Sequence, residues 1–504
     1  LQGFKIRDAY GANKVVAGIY MKNASDCHIS NNVVTNISAT GIADEAYGLS
    51  LENSNKNSFT DTTISNVAGQ MAAGISLIAS NDNTFDPTII EDIGGSYALG
   101  VVFMLSNSTS FTDTTIKNVT GILATGISFG GVDPENGDPV PGFSNYNSFT
   151  DTTISNVAGQ MAAAGISLIA SKDNTFDPTE IENVEGTEVS SGVFLFVSNS
   201  TSFTDTTISN VAGQIAAGIS LFASKDNTFD PTEIENVTGI YTAAGVYLNL
   251  TNNNVFAKTK VHEVSSLLQP ENSFGFYLME SSSNRVTDGE IFNCARGARI
   301  DSGSYNTIKR NIIRDNFDTG VLLDGSASYT EIHTNCFYNN SLQAMDNGAN
   351  NNWTANYWSP PPGGLGDYTI PGSAGSEDNE PLDVCPLGEG LPPNITSFAP
   401  PSPVNDTVCT WRTFNVTVNQ AVNVTWYLNG TAQVPKNVSV TEANFSFHAQ
   451  YPGIHNVSAV AENANGMDMQ TWVWNVAAGP LPVLEINKTD NPDPVSRGGI
   501  LNYS

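Results

Sequence analysis

SFTDTTISNVAGQ stands at Ser58–Gln70, and the same thirteen residues return at Ser148–Gln160 and Ser202–Gln214. Between them a second unit, NTFDPT, occupies Asn83–Thr88, Asn174–Thr179 and Asn227–Thr232. The phenylalanines of the two units are Phe59, Phe85, Phe111, Phe149, Phe176, Phe203, Phe229 and Phe256. They follow one another at 26 or 27 residues, except for one step of 38. That step holds an insertion, Val132–Tyr146, rich in Pro, Gly and Asp, which reads as a loop bulging from one coil. A fixed period of this size marks a solenoid, propeller or array, and a propeller blade of four strands needs about 40 residues.

A second landmark settles the strands. Gly followed by apolar-x-apolar starts at Gly18, Gly48, Gly74, Gly100, Gly126, Gly165, Gly192, Gly218, Gly245, Gly275, Gly297 and Gly320. Apolar residues two apart line one face of a strand, and the preceding Gly is read as permitting the bend that starts it. In one coil, Gly74–Ile93, the expected inward set is Ile75, Leu77, Phe85, Ile90 and Ile93. A single coil cannot bury these side chains, so its neighbours must cover them. Asn recurs two residues before the core position, as Asn57, Asn83, Asn147, Asn174, Asn227, Asn254, Asn284 and Asn306. Asn tolerates left-handed backbone at turns and can hydrogen-bond along a stack, so an internal Asn ladder is expected. The fold class is all-β, with a parallel β-helix over residues 1–358.

The repeat pattern G-I-x-L-x-x-S-x-x-N-x-F and the later coils of 22–23 residues resemble the NosD-like and pectate-lyase-like parallel β-helix surface proteins. The stretch Asn351–Ser359, NNWTANYWS, is similar to that family's usual ending, and Pro360–Gly364 replaces the acidic Asp-Gly loop of many relatives. The resemblance implies a right-handed solenoid. Residues 359–391 read as its tail and a linker. Residues 392–478 alternate polar and apolar residues around an Asn429-Gly430 turn. They resemble the Ig-like, PKD-like modules of methanogenic archaeal surface proteins, which implies a β-sandwich. Trp426, Val457, Val460 and Trp474 are its expected core members. Residues 479–504 resemble the opening of a further surface repeat domain, or a strand donated to another subunit. The chain opens inside a repeat and is expected to be longer at both ends.

Composition narrows the function. With 20 basic and 50 acidic residues the net charge is −30, which argues against nucleic acid, because phosphate binding needs clustered Lys and Arg. No run of 18 apolar residues marks a membrane span. The five cysteines, Cys27, Cys294, Cys336, Cys385 and Cys409, include no CxxC pair, so neither zinc nor an iron–sulfur cluster is expected. Cys385 and Cys409 flank the boundary between the two large domains and are the candidate disulfide.

Candidate sites are few. Nineteen N-x-S/T sequons occur; Asn107, Asn118, Asn199, Asn236, Asn249, Asn394, Asn415, Asn423, Asn437 and Asn456 are candidates for N-linked glycans, which require an exported chain. Asp61, Asp113, Asp151 and Asp205, with Asp86, Asp177 and Asp230, form stacked carboxylates of the kind that suits calcium. Equivalent aspartates are read as two coils apart, about 10 Å, so turn capping is the expectation. Arg285, Arg296, Arg299, Lys309, Arg310 and Arg314, near Glu290, Asp301 and Asp315, form the one basic concentration; it reads as an ion-paired surface and is the enzymatic candidate. His28, His262, His333, His448 and His455 show no metal spacing, and the copper site suggested by the NosD name has no Met, Cys or His cluster behind it. No catalytic or cofactor residue is assigned. The resulting expectation is a non-enzymatic, extracellular structural protein of an archaeal envelope (an S-layer, sheath or filament subunit, or an adhesin) that forms a homo-oligomer or polymer. A carbohydrate-binding or polysaccharide-cleaving β-helix is the alternative.

Overall fold

The computed structural model describes all residues except 12–14, 42–43, 133–138, 360–366, 388–392, 434–436, 464–465 and 480–504. Two compact units divide the chain, Leu1–Gly388 and Glu389–Ser504. The further repeat domain or donated strand expected from residue 479 falls almost wholly outside the described residues.

The first unit is a solenoid of about 13 turns, and each turn has three walls. In the turn Ser58–Ile78 they are Ser58–Thr60, Thr62–Ala68 and Met71–Ile78, each paired in parallel with the next turn, residue for residue. The five expected inward residues, Ile75, Leu77, Phe85, Ile90 and Ile93, are all buried. The eight phenylalanines stack ring on ring along the axis at 4.4–5.0 Å, with interplanar angles of 2–8°. This spacing is the inter-strand distance itself, so ring stacking and ladder hydrogen bonds satisfy the same register.

Polar ladders run parallel to the apolar one. Asn57, Asn147, Asn227, Asn254 and Asn284 each donate Nδ2 to the Oδ1 of the next asparagine at 3.0–3.3 Å. Thr109 and Thr201 take the Asn place in two turns. The left-handed conformation belongs to the residue before each of these asparagines, with φ of 56° at Lys56 and 57° at Asp82. A serine ladder, Ser54, Ser80, Ser106, Ser144, Ser171, Ser198 and Ser224, accepts backbone N–H groups from turn to turn at 3.0–3.2 Å. These ladders leave few buried backbone groups unpaired at the corners, where strand pairing is interrupted.

The glycine column has a different cause from the expected bend. Gly74, Gly192 and Gly218 lie inside strands rather than before them, facing inward. A Cβ on Gly192 would meet Ile208 Cγ2 at 2.3 Å and the Gly218 carbonyl oxygen at 2.7 Å. Close packing of one wall against the β-branched residues of another, not left-handed backbone, requires the missing side chain.

The stacking order also corrects the reading of the aspartates. Phe111 pairs with Phe149, so two SFTDTT units sit on adjacent turns and Asp113 is aligned with Asp151 one turn away, not two. Asp61, Asp113, Asp151 and Asp205 are exposed and occupy left-handed corners with φ of 44–50°.

The end of the solenoid is closed by the tail. Residues after the NNWTANYWS stretch return so that Tyr368 stacks on Trp358 at 4.1 Å and Glu377–Asp378 pairs beside Asn352–Thr354. The disulfide joins Cys336 to Cys385, with Cα atoms 5.6 Å apart, so the expected Cys385–Cys409 pair is not formed. The tail docks on its own last turns, which places Cys385 against the buried Cys336, while Cys409 is exposed in the second unit. Burial pushes the Cys294 thiol up to about 12. Alkylation of the native protein should therefore label Cys409 rapidly and Cys294 only after unfolding. Cys336 and Cys385 should react only after reduction; a peptide map linking Cys385 to Cys409 would overturn the assignment.

The second unit is one curled sheet of seven strands, antiparallel except where Val404–Thr407 pairs with Gly466–Ala477. Asn429 and Gly430 turn the chain with φ of 48° and 79°, as the hairpin signal requires. Trp426, Val457 and Trp474 are buried, as expected. Val460 is half-buried, because Val457, Ala459 and Ala461 take the inward parity of that strand. Asp406 accepts Trp474 Nε1 at 2.8 Å and pairs with Arg412, whose guanidinium holds the carboxyl below its ordinary range.

Candidate functional site

In the Gly-apolar-x-apolar strands the x residue points outward. It is Ser50, Ser76, Val102, Ser128 and Ser167 in the early turns, then Phe194, Ser220, Tyr247, Tyr277 and Arg299. Phe222 lies two residues beyond Ser220 on the same wall. The outcome is a strip of rings climbing successive turns: Phe194 to Phe222 at 5.7 Å, Phe222 to Tyr247 at 5.4 Å and Tyr247 to Tyr277 at 5.4 Å. Phe274 joins Tyr277 at 4.6 Å. Beside the rings runs a groove of about 410 Å³, floored by Ser191, Ala217 and Ala244 and walled by the exposed Val189 and Ile215. The four rings from Phe194 to Tyr277 are half-buried and meet tilted or edge-on, at 48–65°, above small residues that line the groove.

Arginines and acids close the upper end. Arg299 lies 5.5 Å from the Tyr277 ring and Arg296 lies 5.7 Å from the Phe274 ring, within cation–π range. Arg296 pairs with Asp318 at 2.8 Å; Arg299 pairs with Asp301 and, at 3.3 Å, with Asp324. Tyr277 donates its hydroxyl to Asp301 at 2.5 Å. Burial first, then the Asp301 carboxylate, raise the Tyr277 phenol, which keeps it protonated and a donor.

The basic concentration of the sequence is thus divided among different walls. Arg296 and Arg299 border the strip. Arg314 belongs to another wall, where it covers Phe292 at 3.8 Å and pairs with Glu290 and Asp315 at 2.7 Å. Arg310 pairs with Asp288 at a corner. On the wall of Arg314, His262 stacks on Phe292 and approaches Glu233 at 3.3 Å and Glu235 at 3.8 Å. These three are the one group of three or more potential metal ligands among the described residues. Lys260 sits 2.7 Å from Glu233, so the chain supplies a cation to this cluster itself. None of the seven stacked aspartates belongs to it.

The sequon asparagines fall into two sets. Asn236, Asn394, Asn415, Asn423 and Asn456 are exposed, whereas Asn107, Asn118, Asn199 and Asn249 are half-buried. Asn437 opens the strand Asn437–His448. No helix among the described residues is long and apolar enough to cross a membrane, which says nothing of a β-barrel.

Residues 17–177 match the family model of the right-handed β-helix region, and residues 133–364 match that of the periplasmic copper-binding protein NosD. Over these residues the solenoid is similar to the right-handed β-helix of NosD. No curated protein matches the chain. Among solved structures, a periplasmic alginate epimerase is similar at 12% identity over 64% of this chain and 76% of its own, with a TM-score of 0.36. A tailspike protein of an Escherichia coli bacteriophage is similar at 10% identity over 83% of this chain and 59% of its own, with a TM-score of 0.29. Human titin ZIg10 is similar at 17% identity over 20% of this chain and 88% of its own, with a TM-score of 0.16.

The copper of the family description does not fit the donors of this NosD-like solenoid. Copper favours imidazole and sulfur ligands. Here Cys336 and Cys385 are bonded to each other, Cys294 is buried alone, and the cluster at His262 offers one imidazole beside two carboxylates.

Proposed function

We propose that the chain is a structural component of the cell exterior that holds neutral polysaccharide along the strip from Phe194 to Tyr277. The observation that carries this reading is the row of half-buried rings at 5.4–5.7 Å on consecutive turns. Partly exposed aromatic rings offer apolar surface to a ligand, which suits the C–H faces of sugar rings, and the strip supplies several in a line. Arg296, Asp301, Asp318 and Asp324 offer hydrogen bonds at its upper end. The three acids neutralise the two arginines, and the chain carries a net charge of −30, so a polyanionic glycan is disfavoured. The Tyr277 hydroxyl, whose proton goes to Asp301 at 2.5 Å, offers its oxygen as an acceptor to a sugar hydroxyl, a role in binding rather than in eliminative cleavage.

The regular interior supports the structural half of the proposal. Phenylalanine, serine and asparagine ladders in one register tie successive turns together over much of the solenoid, and a disulfide suits an oxidising compartment outside the cytoplasm. An S-layer, sheath or filament subunit, or an adhesin, is the form this role would take.

Retention of the full chain on a panel of neutral and acidic polysaccharides tests the reading. Retention on at least one neutral glycan is expected, with affinity reduced at least tenfold in the Phe222→Ala/Tyr247→Ala double variant and no chain scission. Retention on acidic glycans alone, or unchanged binding by the double variant, would contradict it.

A further inference from the structure

Sequon asparagines of the second unit and of the solenoid differ in what their side chains do. In an extended strand a residue and the one two places on project from the same face. Asn415 with Thr417, Asn444 with Ser446 and Asn456 with Ser458 therefore present carboxamide and hydroxyl together on the outer face of the second unit. Asn415 and Asn444 are directly opposite on neighbouring strands. All three asparagines are exposed, and among the described residues none of their carboxamides makes a hydrogen bond.

At five sequons of the solenoid the same signal is covered or engaged. The hydroxyl residues Thr109, Thr201 and Thr251, which complete the sequons of Asn107, Asn199 and Asn249, are at most 1% exposed. The carboxamide nitrogens are engaged along the axis: Asn107 donates to Asn81 at 3.1 Å, Asn118 to Asp92 at 2.9 Å and Asn236 to Asn210 at 2.5 Å. A saccharide on any of these nitrogens leaves one N–H, so the carboxamide must stay pinned to the preceding turn or give up that hydrogen bond.

We infer that the outer face of the second unit is the glycan-bearing surface of this protein, modified at Asn415, Asn444 and Asn456, and that the solenoid sequons Asn107, Asn118, Asn199, Asn236 and Asn249 stay bare. The donor is a saccharide activated as its lipid pyrophosphate. The asparagine Nδ2 forms a bond to the anomeric carbon, that carbon's bond to the phosphate oxygen breaks, and the amide proton leaves with the released lipid pyrophosphate. The inference rests on export of the chain and is independent of polysaccharide binding at the aromatic strip.

Peptide mapping by mass spectrometry of the protein isolated from the cells that make it is the test. Saccharide mass increments are expected on the peptides of Asn415, Asn444 and Asn456 and on none of the five solenoid peptides. The Asn415→Gln/Asn444→Gln/Asn456→Gln variant, made in the same cells, should lose those increments while keeping the strand signature of the parent by circular dichroism. Unmodified outer-face peptides, or increments at Asn107, Asn199 or Asn249, would overturn the inference.

Discussion

Asp378→Ala is expected to fray the closed end of the solenoid. The Asp378 carboxylate is fully buried and its Oδ2 accepts three donors: the Asn356 backbone N–H at 3.0 Å, Asn356 Nδ2 at 3.1 Å and Trp358 Nε1 at 3.1 Å. It is also the last acceptor of a second interior ladder, in which Asn311 donates to Asn335 and Asn335 to Asn356. Each buried donor left without a partner costs about 1–3 kcal/mol, so the loss should reach about 5 kcal/mol, concentrated on the last turns. A solenoid transmits such damage only to its neighbours. Hydrogen exchange should speed up across Ile332–Trp358 and stay unchanged across Ser58–Gln70. Asp378→Asn, which keeps one acceptor oxygen, should lose about half as much. Uniform loss of protection along the chain would show that the end does not act as a local cap.

Gly218→Ala is expected to break the stack in its middle. The added Cβ would lie 2.3 Å from Ile234 Cγ2 and 2.7 Å from the Gly245 carbonyl oxygen. Neither neighbour yields readily, because Ile234 is wedged in the core and Gly245 belongs to the next strand. Overpacking of this kind costs about 1–3 kcal/mol, and the backbone contact places the effect near the top of that range. Urea unfolding monitored by circular dichroism should show the loss as a lower midpoint. The Gly218→Ala/Ile234→Ala pair should be less destabilised than the sum of its single changes, by about 1 kcal/mol or more. Additive losses would mean that the glycine is needed for its backbone and not for the space.

These two residues also show where the sequence was readable. Period, strand parity and the buried set followed from spacing alone, because a stack of identical turns repeats one hydrophobic decision many times. The Phe and Asn ladders were legible for the same reason. The purpose of the glycines was not, since Gly218 and Ile234 meet across the core and no local pattern records that distance. Asp378 looked like tail, because its donors lie 20 and 22 residues earlier. The disulfide was misassigned likewise: Cys385 is nearer Cys409 in sequence, but the returning tail brings it to Cys336. Val460 failed by one residue of parity, because alanines rather than the larger valine fill the inward places beside Trp426 and Trp472.

The aromatic strip was only partly visible. Arg296 and Arg299 stood out as charge, but Phe194, Tyr247 and Tyr277 sat in the unremarked x position of a pattern whose apolar places drew attention. The signal was present as aromatic residues at x after Gly192, Gly245 and Gly275, with Ser220 between them. Phe222 is out of phase with it and joins only through the geometry of adjacent turns.

The central claim is that those rings act as one extended platform. Equilibrium binding of a length series of neutral oligosaccharides to the full chain tests it most directly. Affinity should rise with length until the ligand spans the rings from Phe194 to Tyr277, then level off, and the Phe222→Ala/Tyr247→Ala variant should bind long and short ligands alike. Affinity independent of length in the unaltered chain, or a length dependence that survives the double variant, would contradict the account.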